Sequence, residues 1–333
     1  MPACCNESSD SAYAGDVIRD FNTLSLPALF KALGAPEATR GLAVAARDED
    51  LGKGGRPGDL TSLVATTSGQ RSRAEIRARQ HGVVAGLACI PFLAPAFSKR
   101  IKFRPARGVS DGSVFKPSQS LGTLEGPARD ILTFERTLLN LVSRLSGVAT
   151  LTRTYDQAMR AKGKVSANLF DTRKTTPGLR VLEKYAVRCG GGHCHRIGLY
   201  DAVLIKDNHI AGVPLNKLTE WTERAALKAS KLRPAARFFE IEVDSLAQLE
   251  QVLYARLGKN PAVDIVLLDN MSPATLKMAV RWRDALSPEV QLESSGGINL
   301  HTIEAIAQSG VDRISVGALT HSAPIVDLGL DFQ

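Results

Sequence analysis

The second half of the chain alternates short apolar runs with stretches of helical spacing. The apolar runs predict strands at 164–170, 202–206, 238–243, 263–268, 290–293 and 313–316. The intervening stretches predict helices at about 179–188, 214–232, 245–257, 272–285 and 300–309. Regular alternation of strand and helix indicates parallel βα units, and at this length it favours a closed or nearly closed α/β barrel.

The first part of the chain has a different pattern. Apolar residues at roughly helical spacing predict a helix over 17–33, which Gly34 and Pro36 are expected to end. Residues 47–62 form a charged, glycine-rich stretch that predicts a loop. The alternation over 74–86 predicts a strand followed by a turn.

A long helix separates the two patterns. Turn signals over 109–130 predict short antiparallel strands, and residues 132–161 then carry an amphipathic helical pattern. We place a domain boundary just before this helix. The predicted organisation is a flexible tail over 1–20, an N-terminal domain over 21–131, a barrel over 132–318 and a C-terminal segment over 319–333 that returns to the N-terminal domain.

Composition indicates a globular protein, since 44% of the 333 residues are hydrophobic. The longest apolar run, 82–97, is shorter than the ~20 residues of a membrane span and contains Pro91 and Pro95. The N-terminus is acidic and polar and does not resemble a secretory signal. Five scattered cysteines fit free thiols in a reducing compartment. We therefore expect no transmembrane helix and a cytoplasmic location.

The chain is basic, with a net charge of +8. Such a charge is typical of proteins that bind nucleic acid, an anionic surface or small phosphorylated substrates. Much of it lies between residues 71 and 107, where Glu75 is the single acid, and a solvated basic face is the slightly favoured explanation of this run. Charge alone does not choose among these partners.

Cations are concentrated at two predicted strand ends. Arg173 and Lys174 follow the strand at 164–170, and Lys206 ends the strand at 202–206. His195 and Arg196 follow a triple glycine between those strands. In an α/β barrel such strand ends meet on one face, so converging cations predict an anionic substrate. The alternative is that these are ordinary solvated surface charges.

Acids follow the next two strands. Glu240, Glu242 and Asp244 alternate along FFEIEVDS and are predicted to share one face, and Asp269 ends the strand at 263–268. Buried acids are costly unless they are paired or bind a metal. Glu242 and Asp269 could hold Mg²⁺ or stabilise a developing cation. Ion pairing with the cation cluster is the alternative.

Glycine-rich loops follow the last two predicted strands. The segment LESSGGIN (292–299) brings Ser294, Ser295, Gly296 and Gly297 directly before a predicted helix, and Gly317 follows the final strand. Such loops at the end of a barrel, next to a helix N-terminus, recurrently bind phosphate. Ordinary turn glycines are the alternative.

One local cluster has the residue types of a zinc site. Cys189, His193, Cys194 and His195 lie within seven positions of one another. Adjacent residues cannot all point at one ion, and no second CxxC or HxxxH pair is present to complete the ligands. The spacing therefore argues against zinc.

A set of motifs resembles the quinolinate phosphoribosyltransferase family. The likeness covers about residues 58–330, including GDLTS (58–62) and RARQHGVVAGL (77–87) in the first domain. The motifs are ERTLLN (135–140), DTRKT (171–175), GGGHCHR (190–196), IKDNH (205–209), EIEV (240–243), LLDN (267–270), ESSGG (293–297) and SVGALT (315–320).

The resemblance implies a reaction and a set of roles. Quinolinate and phosphoribosyl pyrophosphate would give nicotinate mononucleotide, pyrophosphate and CO₂ with Mg²⁺, in NAD synthesis. The carboxylates of quinolinate and neighbouring phosphate oxygens would be held by Arg136, Arg173, Thr175, His195, Arg196 and Lys206. Lys174 would lie close to the reacting centre, Glu242 and Asp269 at the ribose and metal, and Ser295, Gly296, Gly297 and Gly317 at the 5′-phosphate.

The resemblance also implies an architecture. Members of the family combine an open α/β sandwich at the N-terminus with an incomplete, six- or seven-stranded parallel α/β barrel. They form homodimers in which the first domain of one subunit covers the barrel mouth of the other, which would explain the basic run at 71–107. Cys194 departs from the family pattern, which commonly has Asn there, and the sequence predicts that this change touches the site.

Three other functions compete with this interpretation. A phosphoribosyltransferase for nicotinate or another anionic base would need fewer cations than the set present. Nucleic-acid binding through 71–107 would normally use interleaved aromatics, which make up only 5% of the chain. A barrel that binds anions without turnover would be expected to lack Glu242 or Asp269, and both are present.

Overall fold

The computed structural model describes residues 20–333. The predicted tail over 1–20 and the start of the helix predicted over 17–33 therefore lie outside the described residues, apart from Asp20. Within the described part of that prediction, the helix α1 begins only at Leu26 (Leu26–Ala32). Pro27 occupies its first turn, where the missing N–H of proline removes no hydrogen bond.

The N-terminal domain is built on an antiparallel sheet of four strands. Helices precede and flank this sheet and bury apolar residues against it. The elements after α1 are α2 (Ala35–Leu51), α3 (Leu60–Ala65), β1 (Arg71–Ala78), β2 (Gly82–Val83), α4 (Ile90–Leu93), β3 (Lys102–Pro105), β4 (Val114–Phe115) and β5 (Ser120–Pro127). The prediction of short antiparallel strands over 109–130 is confirmed by β4 and β5.

The helix α2 corrects two predictions for this domain. Gly34 does end α1, because its backbone is left-handed, with φ of +71°. Pro36, however, lies in the first turn of α2 rather than after the last turn of a helix. The predicted loop over 47–62 is helical to Leu51 and contains α3, whose N-cap Asp59 accepts a hydrogen bond from the Ser62 N–H.

One long helix joins the two halves of the molecule. This helix, α5 (Ala128–Met159), has 32 residues and begins four positions before the predicted start. Its predicted apolar face is buried, including Leu138, Val142 and Leu145. The helix contacts strands of the N-terminal sheet and also the barrel helix α6 (Arg180–Cys189). It therefore fixes the position of one domain relative to the other.

The second domain is an incomplete parallel α/β barrel, as predicted. Its strands lie in the spatial order β6, β13, β12, β11, β8, β7, and all neighbouring pairs are parallel. Besides α6, its elements are β6 (Asn168–Phe170), β7 (Val203–Ile205), α7 (Asp207–Ile210), α8 (Leu218–Ala229), β8 (Phe239–Val243), α9 (Leu246–Tyr254), β9 (Arg256–Leu257), β10 (Asn260–Pro261), β11 (Ile265–Asp269), α10 (Pro273–Leu286), β12 (Gln291–Ser295), α11 (Ile303–Ala307), β13 (Arg313–Ser315) and α12 (Ala318–His321).

A seventh segment lies beside the open edge of the barrel. His193 forms a parallel bridge with Phe170, and its N–H donates to the Leu169 carbonyl at 2.8 Å. The triple glycine before it permits this close packing, since a Cβ at Gly192 would lie 2.7 Å from Val187. The residues that follow, His195 and Arg196, are thereby held beside the carboxyl ends of the strands.

The chain ends in the N-terminal sheet. The last strand, β14 (Leu328–Phe332), pairs antiparallel with β1, from Leu328 opposite Ala78 to Phe332 opposite Ala74. The chain thus crosses between the domains a second time. In the part of the chain from residue 20 onward, no helix combines the length and hydrophobicity that crossing a membrane requires.

Candidate active site

A cavity of about 520 Å³ opens at the carboxyl ends of the barrel strands. Polar side chains at the carboxyl ends of β6, β7, β8, β11, β12 and β13, and in the segments that follow them, line it. Of the residues to which the family resemblance assigns a role in the reaction, all line this cavity except Arg136 and Thr175. The predicted residues that line it are Arg173, Lys174, His195, Arg196, Lys206, Glu242, Asp269, Ser295, Gly296, Gly297 and Gly317.

Two arginines form a positive wall without an acidic partner of their own. Arg196 is 8% exposed, and burial lowers the pKa of its guanidinium, as does the nearby charge of Arg173. Across residues 20–333 neither arginine makes an ion pair, and the Nε of Arg173 is buried without a hydrogen-bond partner. Two like charges held together in a cavity are stabilised when an anion binds between them.

A buried ion pair supports this wall. Asp171 follows β6 directly, and its Oδ1 accepts from Lys184 Nζ of α6 at 2.5 Å and from the His195 N–H at 2.9 Å. Burial raises the pKa of the Asp171 carboxyl, and the charge of Lys184 opposes that rise. This single carboxylate therefore ties the end of β6 to α6 and to the His195–Arg196 segment.

Replacing Lys184 with Met is expected to destabilise the protein by about 3–5 kcal/mol, because it leaves Asp171 buried without its cationic partner. Urea denaturation followed by circular dichroism measures this change. Lys162→Met is the control: its ion pair with Glu304 is on the surface, with the lysine side chain 76% exposed, and should leave the denaturation midpoint unchanged. Equal midpoints for the two variants would contradict this role of Lys184.

Two acids face the cations from neighbouring parallel strands. Glu242 lies beside Leu267 in the pairing of β8 with β11, and Asp269 is two residues beyond Leu267, so both acids point to the same side. Lys206 Nζ lies 2.5 Å from Glu242 Oε2. The prediction that Asp244 shares this strand face is wrong. Strand β8 ends at Val243, and Asp244 is exposed on the following loop.

The glycine loops leave room for a ligand where side chains would obstruct it. Gly296 has φ of +87°, and a Cβ there would lie 2.9 Å from Asp269 Oδ1. A Cβ at Gly317 would lie 3.0 Å from the Lys174 side chain and 3.1 Å from His321 Nε2. The positive φ at Gly296 therefore requires glycine, a side chain at Gly317 would crowd Lys174 and His321, and both loops line the same cavity.

His195 joins a buried cluster beneath the cavity. Its Nε2 lies 3.2 Å from both Glu240 Oε2 and Glu293 Oε1, and Glu293 Oε2 accepts from Arg313 Nε at 2.7 Å. Burial lowers the pKa of His195, but Glu293 and Glu240 outweigh it and raise the pKa to about 9. Burial and Glu293 raise the pKa of Glu240, whereas His195 and Arg313 hold the pKa of Glu293 low against the effect of burial.

The contacts within this cluster compensate its buried charges. The Nδ1 of His195 accepts the Arg196 N–H at 2.8 Å, and its Nε2 faces the two glutamates. Glu293 is also paired with Arg313. These partners make the burial of the acids tolerable.

The same three residues have the chemistry of a possible metal site. His195, Glu240 and Glu293 bring ligand atoms within 4.8 Å of one another. A dication there would add positive charge beside Arg313, which already binds Glu293, and near Arg196. Hydrogen bonding within the cluster is the better account of its charges.

Arg136, Thr175 and Cys194 lie away from the cavity, as Asp244 does. Arg136 on α5 has a side chain that is 70% exposed, and Thr175 accepts a hydrogen bond from Arg180 at 3.1 Å. The prediction that Cys194 touches the site is wrong. Its thiol is buried against the Lys184 carbonyl, burial raises its pKa to about 12, and the residue lines a separate cavity of about 900 Å³ at the opposite end of the barrel.

The cavity is also lined by polar residues that were not predicted, among them Glu293 and His321. Glu293 is two positions before Ser295 on β12 and therefore points to the same side. His321 is four positions after Gly317, one helical turn along α12. The spacing of both could have been read from motifs already identified, ESSGG and SVGALT.

The fold and this cavity define a class of protein, a parallel α/β barrel with a cation-rich, glycine-lined cavity at its mouth. Comparison with known proteins identifies the family. Residues 148–331 match the model described as quinolinate phosphoribosyl transferase, C-terminal domain, and residues 59–146 match the N-terminal domain of the same family. The chain belongs to the quinolinate phosphoribosyltransferase family.

Individual relatives agree with this assignment over most of the chain. The carboxylating nicotinate-nucleotide pyrophosphorylase of Mycobacterium leprae is 41% identical over 273 residues, which cover 82% of this chain and 90% of the relative. A probable enzyme of the same name from Bacillus subtilis is 37% identical, covering 85% and 89%. The solved nicotinate-nucleotide pyrophosphorylase of Francisella tularensis has a TM-score of 0.77 at 34% identity, covering 95% and 99%.

Proposed function

We propose that the cavity at the barrel mouth is where this chain carries out the reaction of its family. The enzyme transfers the phosphoribosyl group of phosphoribosyl pyrophosphate to quinolinate with decarboxylation, and so forms nicotinate mononucleotide in NAD biosynthesis. We choose this cavity because it contains Arg173 and Arg196, which make no ion pair within the described chain.

The acceptor binds at the positive wall. Quinolinate has two adjacent carboxylates, and a guanidinium can bind a carboxylate through two parallel hydrogen bonds. Arg173 and Arg196 supply two such groups, and Lys206 supplies a third cation at the same wall. Binding orients the ring nitrogen toward the ribose carbon, which makes the attack effectively intramolecular.

The donor binds on the other side of the cavity. Backbone N–H groups of the loops at Ser295–Gly297 and Gly317 are free of obstructing side chains and bind the 5′-phosphate. Lys174 lines the same cavity with its side chain next to Gly317, and it contributes positive charge near the departing pyrophosphate.

The residues present fit a magnesium ion. Glu242 and Asp269 offer hard oxygen atoms from adjacent strands, and Mg²⁺ typically uses only one or two protein carboxylates together with substrate oxygens. When bound, Mg²⁺ neutralises charge on the pyrophosphate group. Lys206 must leave Glu242 for that carboxylate to be free, and the carboxylates of quinolinate give it an alternative partner.

Negative charge on Glu242 and Asp269 also stabilises the transition state. As pyrophosphate departs, positive charge develops on the ribose carbon, and fixed carboxylates in a cavity stabilise it. Bond formation then makes the pyridine nitrogen cationic. The ring accepts the electron pair of the adjacent C–CO₂ bond when CO₂ leaves, and the ring carbon takes a proton from water. The enzyme positions and shields these groups and needs no general base.

The second subunit of a homodimer completes the site. The Arg136 side chain is 70% exposed and does not reach the cavity of its own chain. Several arginines of the basic run are already paired, Arg77 and Arg79 with Asp331 and Arg100 with Asp130. Lys102 and Arg104 lie on β3, at the edge of the sheet, and remain available to a neighbouring subunit.

The test is incubation with quinolinate, phosphoribosyl pyrophosphate and Mg²⁺, with CO₂ and mononucleotide measured together. Equal amounts of the two products are expected. Nicotinate serves as the competing acceptor, because it has one carboxylate and gives no CO₂. Preference for nicotinate, or mononucleotide without CO₂, would refute the proposal.

A further inference from the structure

Each polar group of His195 has a hydrogen-bond partner or a nearby carboxylate. The side chain is 6% exposed, its Nδ1 accepts from the Arg196 N–H at 2.8 Å, and its Nε2 lies 3.2 Å from both Glu240 and Glu293. Its own N–H donates to Asp171, and its carbonyl accepts from Arg237 at 2.9 Å. A residue with both ring nitrogens engaged in this way is built to hold its neighbours in place.

The two glutamates lie against the Nε2 edge of His195. Both are 0% exposed, and burying carboxyl groups costs free energy unless they are compensated. Glu293 has Arg313, whose guanidinium lies 3.7 Å from the centre of the Phe170 ring. Glu240 has no hydrogen-bond partner for either oxygen in the described chain, apart from its contact with the imidazole of His195.

The contacts form one connected path to the acceptor wall. Arg313 donates a hydrogen bond to Glu293. Glu293 and Glu240 both contact His195 Nε2. His195 Nδ1 in turn accepts the backbone N–H of Arg196. We propose that Glu293 and Glu240 are positioning residues, which act through His195 to place Arg196 for binding the acceptor. This inference rests on the proposed function of the cavity, since it assigns the acceptor to Arg196.

The test is Glu293→Gln, which preserves size and leaves an amide oxygen for Arg313. The KM for quinolinate is expected to rise about tenfold, while the KM for phosphoribosyl pyrophosphate changes by less than about twofold. Asp156→Asn is the control: it changes an acid that pairs with Arg160 at the end of α5 and contacts neither His195 nor its partners, so neither KM should move. Glu240→Gln repeats the test if the first variant folds poorly.

A double variant separates positioning from general structural damage. His195→Asn keeps an acceptor atom near the Arg196 N–H but cannot reach both glutamates. If Glu293 acts through His195, adding Glu293→Gln to His195→Asn should raise the KM for quinolinate no further. Additive effects, an equal rise in both KM values, or an unchanged KM in Glu293→Gln would overturn the inference.

Two further outcomes are distinguishable. A divalent metal bound in equal amount to purified wild-type enzyme and lost in Glu293→Gln would show that the cluster is a metal site and overturn the positioning role. A wild-type enzyme that does not use quinolinate refutes the proposed function itself, whereas an active wild type with an unaffected Glu293→Gln refutes only this inference.

Discussion

Asp269→Asn is expected to lower kcat by about 10²–10³-fold with the fold intact, because it removes a fixed negative charge facing the ribose carbon. Asn is nearly the same size as Asp, and because Gly296 has no Cβ, the substitution creates no clash there. Steady-state kinetics at saturating quinolinate, phosphoribosyl pyrophosphate and Mg²⁺ measure the change, and thermal unfolding checks the fold.

Asp244→Asn is the control for this prediction. Asp244 is an acid just past the end of β8, but it is exposed and lies outside the cavity, so its loss should leave kcat unchanged. A kcat for Asp269→Asn close to that of the wild type would mean that the two carboxylates do not act at the reacting centre. The metal and oxocarbenium roles proposed for them would then both be wrong.

Mixing two inactive variants is expected to restore activity. In a dimer with shared sites, Arg136→Ala damages the site that its subunit covers, and Lys206→Ala damages the site in its own barrel. After subunit exchange of equal amounts, half the dimers are mixed, and each has one intact site of two. Activity should therefore return to about a quarter of the wild-type value.

The control for subunit mixing uses two variants of one barrel mouth. Arg173 and Lys206 line the same cavity of one chain, so a mixed dimer of Arg173→Ala and Lys206→Ala has no intact site. No recovery is expected there. If Arg136→Ala and Lys206→Ala also fail to complement, although mixed dimers form, Arg136 does not serve the neighbouring subunit.

The barrel could be predicted from sequence because its strands are buried on both faces. Such strands are short, nearly continuous apolar runs, and the helices between them follow one period. All six predicted strands are present, within a few residues. The helix α2 was missed because Pro36 resembles a terminator, whereas proline also favours the first turn of a helix, and here the geometry of Gly34 decides between the two.

The mouth of the barrel was predictable for a similar reason. Polar residues that directly follow parallel strands must gather at one edge, so Arg173, Lys206 and Asp269 could be grouped before their positions were known. Contacts between different strands could not be read in this way. The pairing of Lys206 with Glu242 and the hold of Glu293 on His195 depend on which strands are neighbours in space.

The homodimer, the magnesium ion and the cytoplasmic location remain predictions, because they follow from the family resemblance and from composition. The roles given to individual cavity residues rest on geometry and chemistry. They share one premise, that acceptor and donor occupy the same cavity at the barrel mouth.

A crystal structure of the enzyme with quinolinate tests that premise most directly. The account predicts one pyridine ring in the cavity, with its carboxylates against Arg173 and Arg196 and its nitrogen facing Glu242 and Asp269. Quinolinate bound elsewhere, for example in the cavity beside Cys194 at the other end of the barrel, would contradict it.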